Sequence, residues 1–172
     1  MNPLKPHQIS GAIWLSTKRF ALLADEMRVG KTLTALYAAK ILNAGRILVV
    51  CPAVARRVWA VGVSECLGRA ATVVTTGGEL LGVQKSFSMA QIVITSYGLM
   101  PDKEAMPWGL VILDECHFLK STTAARAQGA LGRGGLAHRA GRVWALSGTP
   151  AVNHAAEMWP LLRTFGAYAG SY

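Results

Sequence analysis

Three short polar segments of this chain could carry out chemistry, and the first ends in Gly30-Lys31-Thr32. A glycine that lets a ligand approach the backbone, followed by a lysine and a hydroxyl residue, is typical of loops that cradle phosphates. We expect Lys31 to neutralise the β- and γ-phosphates of ATP and the Thr32 hydroxyl to complete the coordination of Mg²⁺. The strict phosphate-loop pattern has a glycine where this chain has Asp25. An ordinary glycine turn with an exposed lysine is therefore the alternative.

The second segment is a pair of carboxylates, Asp114 and Glu115, directly after the apolar residues 110–113. Sheets of parallel strands bind ligands at the carboxyl ends of the strands, which is where these side chains would emerge. We expect Asp114 to hold Mg²⁺ through water and Glu115 to orient and deprotonate the attacking water. The alternative is that both acids cap a following helix, whose dipole favours negative charge.

The third segment is Ser147-Gly148-Thr149, which follows another apolar run. His117 lies two residues beyond Glu115, and we expect it to be a polar relay between the γ-phosphate site and this third segment. A structural histidine with satisfied hydrogen bonds is the alternative. Cys116 is expected to be a small buried residue with no chemical role.

Apolar runs rich in Val and Ile predict the strands that must position these segments. They occupy residues 47–51, 72–75, 92–95, 110–113 and 143–146, with a further candidate at 20–23. Helix-compatible segments alternate with them at residues 6–17, 32–42, 54–66, 122–131 and 153–165. The alternation predicts an α/β fold in three layers, a mainly parallel sheet covered by helices on both faces. Residues 1–172 are predicted to form one domain.

Charge and cysteine content narrow the class of protein. The 172 residues include 18 Lys and Arg against 9 Asp and Glu, a formal net charge of +9. This balance favours a polyanionic partner such as nucleic acid, although a merely basic soluble domain is the alternative. Three widely spaced cysteines cannot pair fully, which favours a reducing cytoplasm. No apolar run approaches the ~18 residues of a membrane span, so no membrane partner is expected.

Taken in order, these motifs resemble those of the first RecA-like lobe of superfamily-two helicases. Within that superfamily they resemble the Swi/Snf-type DNA-dependent ATPases and their phage and bacterial relatives, which implies a P-loop NTPase fold and a bacterial or phage-infected host cell. Residues 24–32 resemble motif I, residues 114–117 a DExH form of motif II and residues 146–150 motif III. Lys5 and Gln8 resemble the Q-type motif, whose glutamine reads the adenine edge. The implied nucleotide-binding residues are Gln8, Lys5, Met27, Arg28, Val29, Gly30, Lys31 and Thr32, and the coupling residues are Ser147, Gly148 and Thr149.

The same resemblance implies a duplex DNA partner. Residues 49–52 with Trp59 resemble motif Ia, which contacts the DNA backbone in this family, and residues 94–97 resemble a second segment that touches nucleic acid. The candidate DNA contacts are Pro52, Arg56, Arg57, Thr95, Ser96 and Lys120. For the two arginines a solvated helix face is the alternative. Contacts of this kind are expected to reach phosphates rather than bases.

Two departures from the family pattern bear on activity. Arg28 stands where the family usually has glycine, at a position that can require positive φ. Nothing in the sequence resembles motifs IV to VI, so we expect a second RecA-like lobe, in cis or in trans, to complete hydrolysis. The predicted function is the ATP-binding and hydrolysing N-terminal lobe of a DNA-dependent ATPase or translocase. A non-catalytic DNA- or protein-binding module with a vestigial ATP site and a DExH-type RNA helicase lobe are the alternatives.

Overall fold

A computed structural model of the chain describes residues 3–86, 91–101, 108–121, 123–149 and 155–167. Six strands within these ranges form one sheet in the order β1-β6-β5-β2-β4-β3, and every pairing is parallel. The strands are β1 (Phe20–Leu23), β2 (Ile47–Cys51), β3 (Thr72–Val73), β4 (Ile92–Ser96), β5 (Leu110–Asp114) and β6 (Arg142–Leu146). All six predicted strands are present, and β3 is two residues shorter than its apolar run suggested.

Helices cover both faces of the sheet, which confirms the predicted three-layer α/β fold. One face packs against α1 (Pro6–Ser16), α2 (Lys31–Ile41) and α3 (Arg56–Leu67). The other packs against α4 (Gly77–Lys85), α5 (Ala125–Leu131), α6 (Leu136–Arg139) and α7 (Trp159–Thr164). Successive strand residues supply the two cores in turn, since Ile47 and Val49 join the first cluster while Leu48 and Val50 join the second. Burial on both faces explains why the strands are continuous apolar runs.

Two helices were not predicted from the sequence. The first is α4, which Gly77 and Gly78 disguise because glycine is a poor helix former. Its start is nevertheless encoded by a capping box, in which the Glu79 main-chain N–H donates to Thr76 Oγ1 and the Glu79 carboxylate accepts from the Thr76 N–H. The other is the four-residue α6.

The predicted helix boundaries differ from the observed ones by a few residues. The segment at 54–66 divides into a 3₁₀ turn over Ala53–Ala55 and α3. Residues 122 and 153–154, where two helices were predicted to begin, lie outside the described residues, as does Pro150, the last residue of the segment that resembles motif III. Among the described helices the longest is α3, with 12 residues, and none has the length and apolar character that crossing a bilayer requires.

The strand order brings the three polar segments together. Although β6 is the last strand in the chain, it lies between β1 and β5. The register aligns Leu23 at the end of β1 with Leu146 of β6, and Leu146 with Asp114 of β5. The loops that leave these three strands therefore start side by side at the carboxyl edge of the sheet.

At the opposite, amino edge of the sheet, several polar side chains make contacts within the protein. The Arg142 guanidinium and the Trp144 indole N–H both donate to the Lys18 carbonyl oxygen, at 2.8 and 3.1 Å. The Arg46 guanidinium carbon lies 4.1 Å from the centroid of the Trp108 ring, which is a cation–π contact. Two further polar atoms at this edge, Gln91 Oε1 and Trp108 Nε1, are buried without a hydrogen-bond partner among the described residues.

Candidate functional site

The loop that joins β1 to α2, residues 24–30, has a backbone that depends on glycine at its end. Gly30 precedes α2 with φ 90°, a conformation that L-residues rarely adopt. A Cβ at Gly30 would also collide with the side-chain amide of Gln8. Arg28 has φ 64°, in the left-handed region that costs a residue with a Cβ about 1–2 kcal/mol. The loop is therefore held in a strained shape by its surroundings.

Gln8 provides much of that restraint. Its Nε2 donates to the Val29 carbonyl oxygen at 3.0 Å, and its Oε1 accepts from the Lys5 main-chain N–H at 2.9 Å. His7 Nε2 lies 3.2 Å from the same Val29 oxygen. Gln8, at 6% exposure, thus caps α1 and fixes the loop from beneath. The resemblance implied that Gln8 reads an adenine edge; in this structure both ends of its amide bond to the protein.

Lys31 folds back over the loop. Its Nζ donates to the carbonyl oxygens of Asp25 and Glu26, at 3.0 and 2.8 Å. The loop that follows β6 lies directly against it, because a Cβ on Gly148 would stand 3.4 Å from Lys31 Nζ and 2.7 Å from Met27 Cγ. The first and third polar segments are therefore in contact, and the lysine ammonium is held at the sheet edge by exchangeable carbonyl oxygens.

Asp114, at the end of β5, has both carboxylate oxygens bonded to N–H groups. Oδ2 accepts from the Trp59 indole at 2.8 Å and Oδ1 accepts from the Glu115 main-chain N–H at 3.0 Å. Burial raises the pKa of Asp114 above its ordinary value, and the Trp59 hydrogen bond and the charge of Lys31 oppose that rise. The Tyr97 hydroxyl also donates to the Asp114 carbonyl oxygen at 2.7 Å. The result is a desolvated carboxylate in a fixed orientation, which a cation would stabilise.

Glu115 is placed differently from its neighbour. It has φ 51° and makes no side-chain hydrogen bond at the start of the following 3₁₀ turn, so the helix-capping alternative is not supported. Its Oε2 is buried and accepts no hydrogen bond from a described residue, although His117 Nδ1 lies 3.2 Å away without hydrogen-bond alignment. A buried carboxylate oxygen with no donor is poised to accept a proton.

His117 connects Glu115 to the loop after β6. Its Nδ1 lies 3.4 Å from Ser147 Oγ, which in turn accepts from the Thr149 main-chain N–H at 3.1 Å. The structure therefore brings together the residues that were expected to form a relay. Cys116 is 1% exposed, and burial raises its thiol pKa to about 12, in keeping with a residue that has no chemical role.

The oxygen atoms at this edge suit a metal ion that is coordinated jointly by the protein and by a bound phosphate. Among the described residues no group of three or more His, Cys, Asp or Glu side chains could hold a metal ion. Mg²⁺ needs no such cage, because it keeps several waters and binds through one or two protein oxygens together with phosphates. The Asp114 carboxylate and the Thr32 hydroxyl at the start of α2 are oxygen ligands of that kind. The residues present therefore fit Mg²⁺.

A cavity of about 710 Å³ lies between α1 and the loop at 24–30. Its lining includes His7, Gly11, Trp14, Asp25 and Val29. The volume falls in the range of small-molecule sites. Trp14 is 44% exposed and offers an aromatic face there.

Four of the six predicted DNA contacts lie at accessible positions near the carboxyl ends of β2, β4 and β5. Pro52 and Ser96 are half-buried at the ends of β2 and β4, and Arg57 is exposed in the first turn of α3. Lys120 is exposed and its Nζ lies 3.2 Å from Glu157 Oε1. These side chains can meet a ligand laid across this edge.

Two predicted DNA contacts are engaged within the protein. Thr95 is fully buried and its hydroxyl donates to the Leu99 carbonyl oxygen at 2.7 Å, so its side chain has no surface to offer. The Arg56 guanidinium donates to the carbonyl oxygens of Val74, at 2.9 Å, and Ala53, at 3.1 Å. Arg56 therefore braces β3 against α3, and the prediction of a Thr95 side-chain contact is not supported by this geometry.

Sequence reasoning did not identify Trp59 or Tyr97 as partners of Asp114. The two residues lie 55 and 17 positions from it, and no local pattern encodes such pairs. The general signal available was that a buried Trp N–H or Tyr O–H usually finds a hydrogen-bond partner.

The sequence of the chain is similar to those of known proteins. A profile of the SNF2-related domain matches residues 7–168. The SWI/SNF-related matrix-associated actin-dependent regulator of chromatin subfamily A-like protein 1 of Xenopus tropicalis is 34% identical over 163 residues, which is 91% of this chain and 17% of that protein. The chromatin-remodeling ATPase INO80 of Arabidopsis thaliana is 31% identical over 184 residues, 93% of this chain and 12% of that protein. The chain thus spans less than a fifth of the length of either relative.

Solved structures share the fold. The SWI2/SNF2 ATPase core of Sulfolobus solfataricus, solved in complex with dsDNA, superposes with a TM-score of 0.73 at 22% identity, covering 95% of this chain and 36% of that one. The UvsW helicase of bacteriophage T4 superposes with a TM-score of 0.68 at 15% identity, covering 93% and 58%. At these identities the likeness concerns the fold alone.

Proposed function

The chain belongs to the SNF2-related domain family, and on that premise we propose that it is the ATP-binding and hydrolysing first lobe of a DNA-dependent translocase. The observation that carries the proposal is that Lys31, which follows β1, and the pair Asp114 and Glu115, at the end of β5, lie on either side of the loop after β6 at one edge of the sheet. A chromatin-remodeling ATPase among its relatives supports hydrolysis of ATP. Translocation without strand separation is the activity we favour, and helicase activity is not needed to explain the site.

Each residue of the site has one role in this proposal. Lys31 exchanges the carbonyl oxygens of Asp25 and Glu26 for phosphate oxygens, whose charge it neutralises. Mg²⁺, held by Thr32 and Asp114, would supply further neutralisation of phosphate charge. Glu115 orients the attacking water and accepts its proton at the buried Oε2.

The nucleoside is proposed to occupy the cavity beside α1. Its floor is the loop that Gln8 restrains through Val29, so base binding and loop geometry are linked. Phosphates at the N-terminus of α2 would meet main-chain N–H groups and the positive end of the helix dipole. We also propose nucleotide-binding roles for Met27, Arg28 and Lys5, which lie close to this region in the sequence.

Duplex DNA is the proposed partner. A protein of the same fold, the SWI2/SNF2 ATPase core of Sulfolobus solfataricus, was solved in complex with dsDNA, and this supports a DNA partner. The net charge of +9 supports it as well. Arg57, Pro52, Ser96 and Lys120 are the proposed phosphate contacts. Binding should weaken steeply with added salt and show little base preference.

A second RecA-like lobe is proposed to complete the site. In phosphoryl-transfer enzymes an arginine supplied from a separate element contributes ~10³-fold or more to turnover. The 172 residues alone should therefore bind nucleotide and hydrolyse it slowly.

One observation favours a different function, a DNA- or protein-binding module with a vestigial ATP site. Arg28 holds a strained conformation in the phosphate loop, where its cation and Cβ replace a glycine of the family pattern. This alternative predicts DNA binding with no measurable affinity for ATP.

The deciding experiment measures ATP binding and ATP hydrolysis by the purified chain with and without duplex DNA, using Glu115→Gln and Lys31→Ala as controls. We expect wild type and Glu115→Gln to bind nucleotide, Lys31→Ala to lose binding, and turnover to be slow in all three. DNA binding without any nucleotide affinity would instead establish the vestigial module. Competition between DNA and RNA duplexes separates the proposal from an RNA helicase lobe.

A further inference from the structure

Trp59 and Asp114 form a buried, charge-assisted hydrogen bond between α3 and β5. The indole Nε1 donates to Oδ2 at 2.8 Å, and Trp59 is 1% exposed. Hydrogen bonds to an ionised acceptor are about twice as strong as those between neutral groups. Because the indole is sealed from solvent, water cannot replace this donor without displacing α3.

The bond acts on the orientation of the carboxylate. Trp59 bonds to Oδ2 and the Glu115 main-chain N–H bonds to Oδ1, so the carboxylate cannot rotate without losing one of them. Each carboxylate oxygen retains capacity for a further partner. The Tyr97 hydroxyl holds the main chain of the same residue. A carboxylate fixed in this way meets a cation or its waters without having to be ordered first.

The helix that carries Trp59 also contacts the other half of the proposed nucleotide site. Gly62, one turn further along α3, packs so closely on α2 that a Cβ there would lie 2.8 Å from Leu36 Cδ1 and 3.9 Å from Thr32 Cγ2. The same helix begins with Arg56 and the exposed Arg57. Displacement of α3 by a ligand on its first turn would therefore be felt at Asp114 and at the start of α2.

We propose that Trp59 is a positioning residue that orients Asp114 for Mg²⁺-nucleotide and ties that orientation to helix α3. This inference rests on the proposed function, since it assumes that Asp114 faces the metal. Duplex DNA on the first turn of α3 then acts on the nucleotide site through the indole N–H.

A buried tryptophan can also bond to the chain for structural reasons alone, and Trp144 is the matched example. It is 0% exposed and its indole N–H donates to the Lys18 carbonyl oxygen at 3.1 Å, at the opposite edge of the sheet. Trp59→Phe and Trp144→Phe therefore remove the same ring atoms and the same donor from equally buried places. They differ in which group loses the hydrogen bond.

The test compares the affinity of the two variants and wild type for a fluorescent ADP analogue, first with Mg²⁺ and then with EDTA. We expect Trp59→Phe to weaken binding about tenfold in Mg²⁺, the usual scale for loss of an outer-shell partner, and to leave binding in EDTA unchanged. Trp144→Phe should change neither value at temperatures where all proteins are folded. Equal loss with and without metal, equal loss in both variants, or no loss in Trp59→Phe would each overturn the inference.

The wild-type measurement separates the two levels of the proposal. If wild type binds the analogue no better in Mg²⁺ than in EDTA, the proposed nucleotide site and the inference fail together. If wild type shows the metal effect and Trp59→Phe retains it, the inference alone fails.

A second measurement leaves Trp59 intact, in case its replacement prevents folding. Indole ¹⁵N–¹H signals are assigned by replacing the other tryptophans one at a time, and the remaining signal is Trp59. We expect that signal to shift on addition of Mg²⁺-ADP, to shift less with ADP and EDTA, and to shift on addition of duplex DNA. A Trp59 signal that stays in place while nucleotide binds would overturn the inference, and the Trp144 signal serves as the control.

Discussion

The two edges of the sheet differ in how their charged side chains are held. At the amino edge the Arg142 guanidinium and the Trp144 indole bond to the Lys18 carbonyl oxygen. At the carboxyl edge Lys31 Nζ donates to the loop carbonyl oxygens of Asp25 and Glu26, and Glu115 Oε2 is buried with no hydrogen-bond donor among the described residues. The amino edge holds Arg142 by a hydrogen bond and leaves two neutral atoms, Gln91 Oε1 and Trp108 Nε1, buried without a partner among the described residues, whereas at the carboxyl edge the unpartnered buried atom is a carboxylate oxygen.

Backbone strain is distributed in the same way. The non-glycine residues with positive φ in the described ranges are Arg28, Asn43 and Glu115, and two of these three lie at the carboxyl edge. Strain that costs of order 1–3 kcal/mol persists where surrounding contacts hold it, and it concentrates at functional sites. Backbone strain and an unpartnered carboxylate oxygen therefore coincide at the carboxyl edge, where we propose that the nucleotide binds.

The largest expected effect is on the reactivity of buried cysteine thiols, which reports whether solvent reaches beneath the carboxyl edge. Burial raises the pKa of the Cys51 and Cys116 thiols to about 12, and also raises that of Cys66. Against an ordinary value of 9.0, the thiolate fraction of Cys51 and Cys116 at pH 8 falls roughly a thousandfold. Iodoacetamide should therefore label the folded protein far more slowly than the protein in urea. Rapid labelling of Cys51 or Cys116 in the folded protein would mean that solvent reaches beneath the carboxyl edge.

Gly30→Ala tests whether the strained loop is needed at the carboxyl edge. The added methyl group meets the Gln8 amide at a residue with φ 90°, so we expect a loss of about 2–3 kcal/mol in unfolding free energy and at least tenfold weaker nucleotide binding. Gly68→Ala is the matched control, since Gly68 has φ 62° and open space around it. It should cost only about 1 kcal/mol. If Gly30→Ala and Gly68→Ala had equal effects in denaturant melts and binding titrations, glycine would not be specifically required at position 30.

Arg142→Ala tests the amino edge. Loss of its hydrogen bond to Lys18 should lower the unfolding free energy by about 1–2 kcal/mol and leave nucleotide affinity unchanged. Arg133→Ala, at an exposed residue of the turn before α6, should change stability by less than about 0.5 kcal/mol. Weaker nucleotide binding in Arg142→Ala would show that the two edges are coupled.

Arg28→Gly has the smallest expected effect. Glycine adopts the observed φ of 64° without strain, so the unfolding free energy should rise by about 0.5–1 kcal/mol. Asn43→Gly is the control, because asparagine tolerates its φ of 48° and little strain is released there. A loss of stability in Arg28→Gly, measured by denaturant melts, would mean that the arginine side chain makes a stabilising contribution of its own.

Much of the fold could be predicted because its signals are local. Burial on both faces of the sheet gives continuous apolar runs, and these marked all six strands within a few residues. Helix α4 was missed because its three glycines, Gly77, Gly78 and Gly82, outweighed the capping box formed by Thr76 and Glu79. The candidate site residues were identified from short motifs, which record which groups lie at strand ends but not which groups face one another.

The order of the polar segments, the strand-forming runs and the glycine at position 30 were determined by the sequence itself, because each depends on neighbouring residues or on one residue's conformational freedom. Tertiary structure decided the rest. Insertion of β6 between β1 and β5 brings Lys31, Gly148 and Asp114 to one edge, and α3 delivers Trp59 to Asp114 across 55 residues. Pairing of distant strands and helices depends on packing of the whole core, and so no local pattern specifies it.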